Sequence, residues 1–189
     1  MTFGVRFLFF FSLCAIVALP AAAFVTYAVG SLLGYQMTYT LTSSSLAAVG
    51  QAVTERARID LLFTGPFTNL GLCFLALVGA YLIPTRMGFL LALSLANNFA
   101  RSLPETTSLL LSEPNPYDLE VVKAAKLMGW PTWSLVVALF PLYIFALLLV
   151  TRMVKGRDSV KLIFLITTIA VGLTINLAIH TIDPFLFRH

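Results

Sequence analysis

The stretch IDLLFTGPFTNLGLCFLALVGAYL, residues 59–82, decides how this chain reads. It is long enough to cross the apolar core of a bilayer as a helix, yet its first turns hold Gly65, Pro66 and Asn69. Helix-breaking and amide residues facing lipid leave polar groups without partners. They are tolerated where neighbouring protein satisfies them. The span is therefore expected to pack against other spans, with Gly65, Pro66 and Asn69 at an internal junction.

The composition agrees. Of 189 residues, 59% are hydrophobic and only 11% charged, and the mean hydropathy is +0.94. No soluble domain of this size has that balance, so the class is an all-α polytopic membrane protein. One integral membrane domain over residues 1–189 accounts for the chain, as a bundle of about five transmembrane or re-entrant helices with a short extended stretch after the first. The formal charge of +4 suits anionic headgroups and gives no argument for nucleic acid. Membrane lipid and other transmembrane proteins are the expected partners, and a bacterial inner (cytoplasmic) membrane the expected location. There is no CxxC, GxSxG or P-loop, and no cofactor is expected. Cys14 and Cys73 lie inside apolar runs and read as small packing residues.

Working outward, the first apolar segment covers about residues 7–35. Its start imitates a signal peptide, but apolar character continues through Val29 and Leu33, beyond an ordinary signal core, so a retained span is expected. QMTYTLTSSS, residues 36–45, has the Thr and Tyr content of an extended strand or interfacial loop. The segment at 59–82 is closed by Pro84. The third apolar segment has only 14 uncharged residues between Arg86 and Arg101, which predicts a re-entrant or buried element, or a thin crossing with both arginines reaching opposite interfaces.

Residues 102–131 read as the one real loop, stiffened by Pro104, Pro114 and Pro116. Within it Asp118 is placed to cap a short helix that ends at Gly129, with Val121, Ala124, Ala125 and Met128 at helical spacing. Spans at about 133–150 and 162–182 follow, joined by the basic link TRMVKGRDSVK. Lys and Arg divide six against six between the two sides, and the compact cluster from Arg152 to Lys161 mildly favours its own side as cytoplasmic.

Two polar groupings stand out. Asn69 in the second span and Asn97 and Asn98 in the third either bond helix to helix or, with Asp118, line a shared internal site. On the last span Asn176, His180 and Asp183 fall one turn apart on one face, where they either relay protons, bind a metal or simply meet the interface.

The order of features resembles the site-2 protease-like family of intramembrane zinc metallopeptidases. A long helix ends in Gly34-Tyr35, a Thr/Ser-rich extended stretch follows, and a span opens with GPFTN, Gly65 to Asn69. An Asn-bearing span, Asp118 and the Gly-Trp-Pro turn from Gly129 complete it. The resemblance implies a first helix carrying HExxH and an Asp ligand after the third helix. Counting back from Gly34-Tyr35, those positions read Ala22, Ala23 and Thr26, and Asp118 is followed by Leu119 instead of the usual Gly. Ala offers no ligand atom and Asp118 alone cannot hold a catalytic zinc. The implied member is degenerate, metal-free and not an enzyme, binding a partner helix or lipid. A subunit covered by the spans of a larger complex is the alternative. VKAAKLMG, residues 122–129, also resembles the short docking loop of ABC-transporter permeases, although Lys123 stands where that loop usually begins with Glu.

Overall fold

The computed structural model of the protein describes residues 3–46, 54–111, 120–154 and 157–186. Asp118 lies outside the described residues. Four helices are long and apolar enough to cross a membrane: α1 (Phe3–Leu32), α2 (Glu55–Leu82), α5 (Ser134–Met153) and α6 (Asp158–Leu186). Between them stand α3 (Met87–Leu111) and the short α4 (Glu120–Leu127). The all-α polytopic expectation holds, and α2 runs unbroken through Gly65 and Pro66.

The third segment differs from its expected form. No interface ends it at Arg101. The helix runs on to Leu111, 25 residues in all and about 37 Å long, and takes in Pro104 and the first third of the expected loop. The reason is that Arg101 and Ser102 are buried and find partners inside the bundle, so the charge does not mark a membrane surface.

Helix α3 is the axis of the bundle, in contact with α1, α2, α5 and α6. Leu91, Ala92, Leu95, Ala96, Phe99 and Ala100 from α3 meet Phe7, Phe11, Ala18 and Leu19 from α1. Cys73, Leu77 and Ala80 of α2, Ala146 and Val150 of α5 and Ile179 of α6 close the same core. Both cysteines are free, and the Cys73 sulfur sits 3.3 Å from the Ser94 hydroxyl. Many alanines in this list allow the helices to approach closely, which is how association gains energy in lipid.

A second apolar cluster docks α4. Val121, Ala124 and Ala125 are buried against Leu70 of α2 and Leu135, Val136, Leu139 and Tyr143 of α5. Lys123 and Lys126 occupy the exposed face. The expected end at Gly129 is present: φ is +69°, and the Trp130 N–H reaches back to the Ala125 carbonyl at 2.9 Å. Only a residue without a β-carbon takes that conformation cheaply, so α4 stops there and Trp130 and Trp133 emerge at an exposed edge.

The extended stretch after α1 is an antiparallel hairpin of β1 (Met37–Tyr39) and β2 (Ser44–Leu46), with Thr38 opposite Ser45. It folds back on α1, where the Tyr39 hydroxyl donates to the Pro20 carbonyl at 3.2 Å. Asp183 of α6 fastens its turn. The Leu41 N–H donates to Asp183 Oδ1 at 2.8 Å, and the Thr42 hydroxyl donates to Oδ2. Asp183 therefore has a definite structural task instead of a casual place at the interface. Charge-assisted hydrogen bonds contribute about 1.5–3 kcal/mol. Asp183→Ala should consequently speed hydrogen exchange at the Leu41 amide by roughly tenfold or more while the α1 amides keep their protection, as measured by exchange mass spectrometry or NMR.

Candidate functional site

Three helices bring small or polar residues to one level by helical spacing. On α1 these are Ala18, Ala22 and Thr26; on α2, Gly65 and Asn69; on α3, Asn97 and Arg101. Each set repeats every four residues, so each lies on one helix face. The faces point at one another and all seven residues are buried.

At the centre lies an ion pair. Arg101 Nη2 stands 2.9 Å from Glu120 Oε2, and each side chain is 8% exposed. The contact is held by charge more than by a directed hydrogen bond: neither atom has a well-aligned hydrogen-bond partner among the described residues. Glu120 is the first residue of α4, so the pair fastens that helix to α3. Burial pushes the Glu120 carboxyl above the ordinary carboxylate range, and the charges of Arg101 and then Lys123 pull it back only in part.

Gly65 makes the space. A β-carbon built there would lie 2.6 Å from Arg101 Nη2 and 2.6 Å from Glu120 Oε2, and 3.4 Å from the Thr26 hydroxyl. Asn69, one turn on, links the remaining helices. With its amide oriented to satisfy its neighbours, the nitrogen donates to Asn97 Oδ1 at 3.1 Å and to the Ala18 carbonyl at 3.3 Å. Its oxygen accepts from Arg101 Nε at 3.3 Å. The Asn97 nitrogen turns back to the Leu93 carbonyl at 2.9 Å. A continuous polar path thus joins α1, α2, α3 and α4.

Of the residues singled out from sequence, Gly65, Asn69 and Asn97 come together here, and Pro66 is buried beside Gly65 in α2. Asn98 faces elsewhere: its nitrogen donates to the Tyr143 carbonyl of α5 at 3.0 Å and its oxygen accepts from Ser102 at 3.0 Å. It ties α3 to α5. Asn176 on α6 likewise donates to the Phe99 carbonyl of α3 at 3.2 Å. His180 is half-buried between Asn176 and Asp183, which bond to different elements, α3 and the hairpin turn. Among the described residues, no three His, Cys, Asp or Glu side chains gather as a metal site.

Sequence reasoning missed Arg101 and Glu120. Arg101 read as an interfacial charge and Glu120 as one loop acid among several. The available signal was the four-residue spacing from Asn97 to Arg101, which continues the amide face, together with Glu120 leading the apolar positions Val121, Ala124 and Ala125.

Beside the junction opens a cavity of about 470 Å³. Thr26 and Glu120 form part of its floor, and Met37, Ser43, Ser44 and Ser45 of the hairpin cover it. Leu61, Leu62 and Leu127 supply apolar wall, and Arg58, Lys123 and Lys126 supply positive charge.

Fold and site together define a polytopic α-helical membrane protein with a buried Asn–Arg–Glu junction under a β-hairpin. Compared with known proteins, the chain matches no family model, no curated protein and no solved structure.

Removing one partner of a buried ion pair costs on the order of 3–5 kcal/mol, because it leaves a charge buried alone. Arg101→Met should destabilise the protein by about that amount in reversible unfolding from mixed micelles, and adding Glu120→Leu should restore most of it. The pH dependence follows from Glu120. Its folded pKa is raised, so the folded state holds the proton more tightly than the unfolded one. The stability this contributes is complete below the unfolded value and is lost as pH rises through the folded value. Without Arg101 the loss grows, so acidification should rescue Arg101→Met more than it helps wild type. Gly65→Ala should cost roughly 1–3 kcal/mol through overpacking, outweighing the gain of about 1 kcal/mol in helix propensity. The same unfolding titration reads it.

Proposed function

We propose that this chain is a non-catalytic integral membrane protein of a bacterial inner membrane, built on a site-2 protease-like scaffold, that acts by binding a partner helix or lipid. One observation carries the reading. The GPFTN segment faces the stretch of α1 from Ala18 to Thr26, where the resemblance places the zinc-binding helix, and a cation stands between them.

The residues at that level do not fit a zinc ion. Ala22 and Ala23 are wholly buried and have no donor atoms. The Thr26 hydroxyl is occupied with the Ala22 carbonyl at 3.2 Å. Arg101 puts a fixed positive charge where a dication would have to enter, and the Glu120 carboxylate already neutralises it. A hydrolytic zinc needs three protein ligands and a carboxylate free to activate water. What supports binding instead is the adjoining cavity, lined by both apolar and cationic groups.

A second reading is favoured by α6, which buries the smallest share of its apolar length of any candidate span. Ile163, Ile166 and Leu177 are exposed there, as they would be on an accessory subunit that partner helices cover.

Elemental analysis of protein purified without chelator should find zinc far below one equivalent. Stoichiometric zinc that disappears in Asp118→Ala would overturn the proposal.

A further inference from the structure

We infer that the cleft between the first turns of α1 and α3 holds the phosphate of an anionic phospholipid headgroup. The cleft lies at the opposite end of the bundle from the junction: Arg6 is separated from Thr26 by 20 residues of α1, about 30 Å. The inference therefore depends on nothing at the junction.

Two arginines from different elements open on this one space. The cleft, about 240 Å³, is lined by Arg6, Phe7 and Phe10 of α1, by Thr85 and Arg86 of the tight turn at Pro84–Arg86, and by Phe89 of α3. No acidic residue is among the groups that line it. Among the described residues, Arg6 and Arg86 take part in no ion pair, and the Thr85 hydroxyl has no hydrogen-bond partner. Two unpaired guanidiniums on one concavity repel each other until an anion stands between them. Phosphate suits the place, because its oxygens accept from several donors and match the guanidinium fork.

The surrounding charge has the same sign. The Phe7 ring packs on Phe164 of α6 at 4.6 Å, which brings the start of α6 to this end. There Arg152, Arg157 and Lys161 stand with one described acid, Asp158, which Lys161 meets at 3.5 Å. The opposite end mixes signs, since Glu55, Asp60, Glu120 and Asp183 all belong to it. A field of this kind concentrates anionic lipid at the Arg6 end.

Position and wall decide the source of the phosphate. Arg6 is the second residue of the apolar span Val5–Leu32, and Arg86 comes four residues after α2 ends at Leu82, so both stand at headgroup level. One turn deeper, Phe10 and Phe89 meet edge to face, with centroids 5.7 Å apart and planes at 87°. Both rings remain partly exposed and offer ester-linked chains a surface to lie on. Inorganic phosphate has no use for that wall. The volume falls below the range of about 300–1,000 Å³ usual for small-molecule sites, which suits a headgroup whose chains stay outside.

The test is native mass spectrometry of the full chain released from nanodiscs, with phosphatidylglycerol, phosphatidylcholine and inorganic phosphate as probes. Wild type should retain phosphatidylglycerol in preference to phosphatidylcholine. Arg6→Gln and Arg86→Gln should each weaken that retention roughly fivefold, and together on the order of 25-fold. Arg152→Gln/Arg157→Gln removes the same charge from the same end but outside the cleft, and should weaken it far less. Phe10→Ala/Phe89→Ala should weaken it several-fold with every charge intact. All six of these side chains are exposed, so helical circular dichroism should stay at the wild-type value. Equal losses in the two arginine pairs would overturn the cleft as the site, and equal retention of the two lipids would overturn the inference outright. Saturable binding of inorganic phosphate that phosphatidylglycerol does not displace would overturn the lipid source.

Discussion

A guanidinium inside an apolar bundle has to be neutralised, and the structure is arranged around how Arg101 achieves this. A charged side chain left alone at mid-bilayer depth costs on the order of 2.5–3.5 kcal/mol even by the mildest scales. Glu120 removes that cost only if α4 lies with its first residue against α3, which fixes where the helix docks. The contact fits only if α2 has no side chain at the point of closest approach, which fixes Gly65. It also needs an acceptor for the second edge of the guanidinium, which Asn69 provides. One charge thus sets the register of three elements, and α1 joins them through the Ala18 carbonyl.

The other buried amides follow a simpler rule. Asn98 and Asn176 each donate to a main-chain carbonyl on a neighbouring helix. Such bonds contribute about 0.6–2 kcal/mol each in membrane bundles. They brace α5 and α6 against α3, and they need no ligand to explain them. The junction differs because it contains charge, and because its two central atoms meet without a well-directed hydrogen bond. A braced amide is a finished interaction. A charged pair of that kind is held by its surroundings and responds to changes in them.

Much of this was legible in the residues. The spans, the extended stretch at Thr38 to Ser45, the stop at Gly129 and the meeting of Gly65, Asn69 and Asn97 each carry a local signal: apolar length, β-prone composition, a glycine, an amide in lipid. The hidden part was the pairing of Arg101 with Glu120, which lie 19 positions apart with three prolines between them. Charge read along a chain says where water might be. It does not say which opposite charge a later helix will bring back. Taking Arg101 as the edge of the membrane shortened α3 and turned its C-terminal part, residues 102–111, into a loop. Asp183 was misread for the same reason, since its partners, Leu41 and Thr42, are more than 140 positions away.

The sign of the junction also orders what surrounds it. A site that had to hold a dication would gather carboxylates and keep cations away. Here the buried Glu120 is committed to an arginine, and every other charged group lining the adjoining cavity is positive. Glu120 is the pivot of both. Paired with Arg101 it closes the polar path through the helices. Losing that pairing would not make the cavity friendlier to metal. It would expose a fourth cation at the floor and leave α4, which carries Lys123 and Lys126, without its anchor. The interaction that holds the bundle together and the field that faces the cavity are therefore set by the same two side chains.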